Sequence, residues 1–265
     1  MFGIPMVIQN ISGKFISNID LEIHKISCII GNSGKDKEEI EEILLKKTDT
    51  RKVRIIPRDR INIPLKVSEV YNLYEKRFGK RSQFILSLLD LDENAKLEEL
   101  SEFEKFKVEL AQVAFGETEL LIVENFMETF EEQLKNLAIK EIIKISNLLD
   151  FKILFFFSDL DYINVCDRIY VIYGGRLLEY STNSSEFYHP YTLALKNSTL
   201  NIGKKGEKIE VNYIGEPAFR GCPFHDYCTF AKKDRKLFRT CVTSFPPKVI
   251  INRNEVYCWW YSSRE

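Results

Sequence analysis

Long apolar runs are missing from this 265-residue chain. The strongest, residues 153–157 and 120–123, fall far short of the ~20 consecutive apolar residues a helix needs to cross a bilayer, so no helical membrane span is expected. A charge imbalance is missing too: 38 basic residues face 39 acidic ones, the formal net charge is -1 and the pI is near 6.4. No global field therefore draws nucleic acid or anionic lipid, and neither is expected as a partner. The amino end, MFGIPMVIQN, lacks the basic segment, long apolar stretch and small-residue cleavage site of a secretion signal, which makes the cytoplasm the expected compartment. In that reducing setting the six cysteines are expected as thiols or metal ligands, not as a disulfide framework. Internal repeats and low-complexity tracts are also absent. What the chain does have is an apolar share of 45%, enough to fill the core of one large domain with a smaller appendage.

The order of elements is legible from period and punctuation. Residues 5–31 read as two strands, PMVIQNI and DLEIHKISCIIG, the second closed by Gly31. After GNSGKDK, the stretch EEIEEILLKK places Ile40, Ile43 and Leu44 at helical spacing, with acidic residues in a first turn where the helix dipole favours them. Residues 68–115 are mostly helical by period, ELLIVENF reads as a buried strand, and a helix, the strand KILFFFS, a further helix and the strand RIYVIYGG follow. Such alternation implies an α/β domain with a mostly parallel sheet. A polar linker near 196–208 leads into a segment that carries four cysteines and both tryptophans, so the division is drawn as residues 1–200, with a helical subdomain at about 62–108, and an irregular extension at 201–265.

The strand–glycine loop–helix unit at 26–47 invites comparison with a P-loop, G-x-x-x-x-G-K-[ST]. There the backbone amides wrap phosphates, the lysine meets the terminal phosphates and the hydroxyl holds magnesium. Counting from Gly31 through Asn32, Ser33, Gly34 and Lys35 puts Asp36 at the second glycine, Lys37 at the lysine and Glu38 at the hydroxyl. A second register, on Gly34-Lys35, leaves the loop two residues short with Asp36 at the hydroxyl position. Either register sets a carboxylate on the phosphate path, where it repels nucleotide and can itself occupy the anion-favouring helix start. Taken alone, the segment also fits an ordinary glycine turn between a strand and a helix.

Downstream, LSEFEKFKVELAQVAFGETELLIVENFMETFE resembles the ATPases of ABC transporters, in which an LSGGQ-like signature precedes a Walker B strand. In that alignment Ser101 keeps the signature serine, Glu102 and Phe103 replace its glycines, Glu124 stands at the Walker B aspartate, Asn125 at the catalytic glutamate and Glu131 at the D-loop aspartate. FFFSDLDYINVCDRIYVIYGGRLLEYS is similar to the switch region, with Ser158 in place of the histidine, and Arg58 stands at the Q-loop glutamine. HPYTLALKNS and GEPAFRGCPFHDYCTFA resemble the carboxy-terminal extension of oligopeptide/dipeptide-importer subunits. The resemblance implies a P-loop ABC nucleotide-binding domain with a shortened helical subdomain and a small metal-binding extension. It implies no hydrolysis at the chain's own site, because Asn125 cannot accept a proton and the magnesium and switch positions are altered as well. Ser101 reads equally as a helix N-cap; in the family the signature of one subunit covers its partner's P-loop, so the resemblance has it reach nucleotide there.

Cys222, Cys228, Cys241 and Cys258 are separated by five, twelve and sixteen residues, whereas Cys28 and Cys166 fall in strand and helix contexts and read as core thiols. Four thiols in a small module fit a tetrahedral zinc site or an iron–sulfur cluster, and spacing does not choose between these or four unligated buried thiols. The resemblance favours [4Fe-4S] over Zn. His225 reads as a turn residue or as a substitute ligand. By resemblance, the partners are a competent ABC ATPase subunit, which would hold ATP and Mg in a heterodimer, two transmembrane permease subunits and, indirectly, an extracellular solute-binding protein. The place would be the cytoplasmic face of the membrane, peripherally, and the solute an oligopeptide or oligosaccharide. The alternative is a stand-alone metal-cluster protein that reuses the cassette fold to bind protein or nucleic acid.

Overall fold

Strands β1 (Met6–Ile11) and β2 (Ile19–Ile23) pair antiparallel, and β2 alternates buried and exposed residues along its length. The sequence reads DLEIHKISCIIG as one strand. In the computed structural model, which describes residues 4–31, 34–124, 130–182, 186–199 and 215–263, that stretch breaks at His24 and Lys25 into β2 and β3 (Ile26–Ile30). The His24 amide donates to Ser27 Oγ (3.0 Å) across the break, and β3 pairs with β7 instead of β1. β2 alternates whereas β3 is almost wholly buried, and the only trace of the turn in the sequence is the polar pair His24-Lys25, which shifts the apolar alternation by one residue.

The described residues form two compact units, residues 1–43 with 157–265, and residues 44–156. In the first unit β3 runs parallel to β7 (Arg168–Tyr173); β8 (Arg176–Ser181), β10 (Asn254–Tyr257) and β9 (Lys248–Ile251) follow in that order, all antiparallel. The hairpin β9–β10 thus extends the sheet where the sequence suggests irregular structure. In the second unit β4 (Val53–Ile56), β5 (Leu120–Val123) and β6 (Lys152–Phe157) are parallel neighbours. The strand set is accordingly mixed, with parallel pairs flanked by antiparallel additions.

Helices follow the apolar periods. α1 (Lys35–Lys47) buries Ile40 and Leu44; α2 (Val67–Phe78) buries Val67, Val70 and Tyr71; α3 (Gln83–Leu89) buries Ile85, Leu86 and Leu89. α4 (Glu102–Leu110) and α5 (Glu132–Leu149) flank β5 in sequence. The helix expected after Asp159 is only a 3-10 turn at Ile163–Val165. α6 (Pro190–Thr199) carries the HPYT segment, and α7 (Thr229–Lys233), α8 (Arg235–Thr243) and α9 (Trp259–Ser262) lie in the cysteine-bearing region.

A second difference concerns Cys28 and Cys166, which are joined as a disulfide with Cα atoms 5.9 Å apart. They are not the core thiols that the sequence suggests. Parallel pairing of β3 with β7, with Cys28 opposite Ile169, brings the turn before β7 beside β3, a proximity 138 residues of sequence conceal.

Candidate functional site

β3 delivers the chain to Gly31, whose φ of +154° puts any Cβ 2.1 Å from the Ile172 carbonyl oxygen, so only glycine fits. Its amide donates to the Phe157 carbonyl (3.1 Å). α1 begins at Lys35, two residues before the lysine of the Gly31 register. Lys37 is buried and its Nζ folds back onto the loop, donating to the Gly31 carbonyl and to that of Phe157 (2.9 Å). Lys35 is exposed, with its ammonium 5.4 Å from the Phe15 ring centroid. Of the two lysines, Lys37 is therefore the one that reaches the loop. Asn32 and Ser33 lie outside the described residues.

Carboxylates take the places open to an anion. Asp36 Oδ1 accepts from the Lys37 amide (2.9 Å) and Oδ2 from the Gly175 amide (3.4 Å). The Lys37 and Glu38 amides also point at the Gly34 carbonyl (3.0 and 3.4 Å). One turn on, Glu39 accepts from the amides of Lys14 (2.6 Å), Phe15 (2.6 Å) and Ile16 (2.9 Å). Burial pushes its pKa up, but those three donors and the Lys14 charge outweigh it and hold the carboxyl below its ordinary range. Gly13 makes that approach possible, since a Cβ there would sit 2.3 Å from the Glu39 carboxyl. At the helix start the Lys37 and Glu38 amides are thus met within the chain, by the Asp36 carboxylate and the Gly34 carbonyl.

In the second unit, Glu124 follows β5; its carboxylate accepts from the Arg58 amide (2.7 Å) and its amide donates to the Ile56 carbonyl (2.9 Å). Glu124 and Arg58 are thus brought together, through the backbone of Arg58. Asn125 lies outside the described residues, and Glu131 is the N-cap residue of α5. Ser101 caps α4: its Oγ accepts from the Glu104 amide (3.3 Å) and donates to Glu104 Oε2 (2.6 Å), which also accepts from the Ser101 amide (2.8 Å). Such a capping box stabilises a helix by about 1 kcal/mol and engages the hydroxyl within the chain. Phe103, where the resemblance expects a signature glycine, packs against Phe106 (centroids 5.6 Å apart) and Phe130 (6.3 Å). An aromatic ring therefore covers what glycine would leave as open backbone. In the first unit, Ser158 follows β6 half-buried.

Cys222, Cys228, Cys241 and Cys258 are all buried in one module, where the Cys222 amide donates to the Cys241 carbonyl (2.7 Å). Burial raises all four thiol pKa values, that of Cys258 to about 12 and that of Cys241 to about 11, and neighbouring thiols add to the rise at Cys222, Cys241 and Cys258. The donor chemistry suits a soft metal centre. Among the described residues, however, no three His, Cys, Asp or Glu side chains converge closely enough to hold an ion. His225 is a turn residue: its Nδ1 meets the Cys222 carbonyl (2.7 Å).

The HPYT segment is anchored by residues that no motif points to. Glu179, fully buried in β8, accepts from the amides of Tyr188 (2.8 Å) and His189 (3.0 Å) and from Asn254 Nδ2 (3.3 Å). Burial raises its pKa against those donors. His189 Nδ1 accepts from the Tyr191 amide (3.0 Å), while its buried Nε2 has no hydrogen-bond partner among the described residues. Phe224, in the cysteine module, packs on Tyr191 (centroids 5.4 Å apart) and Tyr173 (6.1 Å). Two further buried charges were hidden in apolar patterns. Arg54, in VRII, donates from its guanidinium to five backbone carbonyls; Glu109, on the buried side of α4, pairs with Arg60 and accepts from the Ile61 amide (2.8 Å). A charged residue inside an otherwise buried pattern is the only signal that marks them.

Residues 184–234 match the family described as the oligopeptide/dipeptide transporter C-terminal region. The chain is 28% identical over 109 residues to the oligopeptide transport ATP-binding protein OppD of Haemophilus influenzae, covering 38% of this chain and 31% of that protein. It is 33% identical over 75 residues to OppD of Escherichia coli, covering 25% and 22%. Against the dipeptide transport ATP-binding protein DppD of Caldanaerobacter subterraneus it is 25% identical over 222 residues, covering 75% and 68%. The chain thus spans less than a third of the OppD relatives it matches. Among solved structures, an ATP-binding subunit of an ABC transporter superposes with a TM-score of 0.57 at 14% identity, covering 66% of this chain and 89% of that one. CbiO1 of Clostridium perfringens, part of the ABC transporter complex CbiONQ, gives 0.52 at 16% identity, covering 70% and 89%. The chain has the fold of an ABC ATP-binding cassette.

Proposed function

We propose that this chain is a non-hydrolysing ATP-binding-cassette subunit of an importer for oligopeptides or dipeptides, paired with a competent cassette and docked peripherally on permease subunits at the cytoplasmic face. One observation carries the reading. The start of α1, where a working cassette would receive phosphate, is occupied by Asp36, and Lys37 is spent on the carbonyls of Gly31 and Phe157. Binding phosphate there would require expelling a carboxylate and stripping a buried ammonium of its acceptors. Asn125, at the catalytic glutamate position, supplies no base. The partner cassette would hold ATP and Mg, and this chain would offer it a signature in which Ser101 must first release Glu104. No helix among the described residues is long and apolar enough to cross a membrane.

The expected result is ATP turnover by the isolated chain at least about 10² to 10⁴ below that of a competent cassette, the range for loss of a positioned general base. Steady-state ATPase assays on the isolated chain and on its complex with a co-purified cassette measure it. Substituting the partner's catalytic carboxylate should abolish turnover of the complex, and Asn125→Ala should leave it unchanged. Brisk turnover that depends on Asn125 would sink the reading.

The four thiols, buried in one module although no three of them converge closely enough as they stand, are proposed to close on a metal centre, [4Fe-4S] in preference to Zn, that fastens a module with little apolar mass. Bound metal would supply the cross-links that a small core cannot. Anaerobically purified protein should show broad visible absorbance with iron, and Cys222→Ser should remove it. Zinc without colour would replace the cluster assignment, and metal-free, fully folded protein would overturn the metal centre itself.

A further inference from the structure

A cleft of about 590 Å³ lies in the first unit between β2 and the strands β8 and β10. Its volume falls in the range of small-molecule sites, and no nucleotide motif contributes to it. Hydrogen bonds and register fix its direction. The Ser17 amide donates to the Gly175 carbonyl (2.9 Å), which places the approach to β2 beside the start of β8. At the other end Tyr170 Oη accepts from the Glu22 amide (2.8 Å) and donates to the Glu22 carbonyl (3.1 Å), and Tyr170 stands opposite Tyr180 with ring centroids 4.9 Å apart. β2 and β8 therefore run the same way along the cleft, with Ser17 beside Arg176 and Glu22 beside Tyr180. Four residues of strand, Arg176 to Tyr180, separate those ends by roughly 13 Å.

The two ends differ in chemistry. At one end Arg176 is half-buried with its guanidinium 4.8 Å from the Phe245 ring centroid, and among the described residues its side chain makes no hydrogen bond or ion pair. A guanidinium held on an aromatic face, with its donors open to a cleft, is suited to a carboxylate. At the other end Glu22 is joined by Glu255, which stands opposite Tyr180 in the β8–β10 ladder, and Tyr170 and Tyr180 add aromatic faces. Asp20 also lines the cleft, but its Oδ1 accepts from the Asn10 amide (2.7 Å), and Lys248 balances Glu255 (3.3 Å); the Glu22 carboxylate, exposed and 3.7 Å from His24, is the acid left to face a ligand at this end. Carboxylates and tyrosine faces together attract an ammonium.

We propose that this cleft binds a short extended peptide of about four residues, its carboxylate on Arg176 and its amino terminus at Glu22. A dianion would be repelled at the Glu22 end and a diamine at the Arg176 end. An extended peptide advances about 3.3–3.6 Å per residue, so four residues match the separation of the two ends of the cleft. The proposal goes beyond the importer reading and does not depend on it, because binding is read on the chain alone.

Isothermal titration of the full chain with tetraalanine tests it. Tetraalanine should bind, C-terminal amidation and Arg176→Gln should each weaken binding about tenfold, and amidation should make no further difference in Arg176→Gln. N-acetylation and Glu22→Gln should behave as the matching pair at the other end. Dialanine, too short to reach both charges, should bind more weakly than tetraalanine. If a variant fails to fold, the blocked peptides on the unaltered chain still decide. No binding of tetraalanine, or equal binding of the doubly blocked peptide, overturns the proposal.

Discussion

Replacing Arg54 by Met should lower stability by about 3–5 kcal/mol, a large share of the total for an ordinary domain. The guanidinium is fully buried and uses all of its donors: Nε to Gln112 O (3.1 Å), Nη1 to Arg51 O (2.7 Å) and Val53 O (3.1 Å), Nη2 to Phe115 O (2.6 Å) and Glu117 O (3.1 Å). It also lies 3.8 Å from the Phe78 ring centroid. Burial, then repulsion from Arg77, lowers its pKa to about 10, so it remains charged at neutral pH. Methionine fills similar space and restores none of the five bonds, which strands carbonyls of the turn that leads from α4 into β5. Equilibrium urea unfolding would measure the change, with Arg54→Lys expected to recover part of it. A loss below about 1 kcal/mol would mean that those carbonyls find other partners and that the account is wrong.

Acid should destabilise the fold through His189. Burial drives its pKa from 6.5 to about 3, against a smaller opposing contribution from the Tyr257 backbone. As pH falls through 6.5 the unfolded chain takes up a proton that the folded chain refuses until about pH 3. Between those limits only unfolding binds the proton, so this residue's contribution falls by about 1.4 kcal/mol per pH unit. Glu179, whose amide donors include that of His189, is shifted upward by burial and works in the opposite sense. The comparison with His189→Asn separates the two, because Asn offers an oxygen to the Tyr191 amide yet cannot titrate. The difference between the two stability–pH curves should narrow by about 2 kcal/mol from pH 6.5 to pH 5. Parallel curves would show that the imidazole is protonated in the folded state or reached by water.

Much of the fold was legible because burial imposes a period. The strands at 120–123, 152–157 and 168–173 and the helices α1 and α5 follow from apolar spacing alone. Three features were not legible, for distinct reasons. The break between β2 and β3 leaves only a one-residue shift of the apolar alternation at His24-Lys25. The hairpin β9–β10 is short, and its partner β8 lies more than seventy residues earlier in the chain, Glu255 facing Tyr180. The Cys28–Cys166 disulfide depends on strand order, which a one-dimensional pattern does not contain.

At the candidate site the residue types were read from the sequence and their partners were not. That Asp36, Glu38, Glu102 and Phe103 would stand where a cassette needs glycines and a hydroxyl is what the resemblance implies, and the sequence alone is enough to state that expectation. Which lysine enters the loop, and that Asp36 binds the amides of Lys37 and Gly175, was decided only by the tertiary structure. The reason is physical: a side chain's chemistry is local to its residue, whereas its hydrogen-bond partners are set by the turns and strands that the rest of the chain folds around it. The same holds for the cleft beside β2, where Glu22 and Arg176, 154 positions apart, flank one ligand-sized space only because β2 lies along β8.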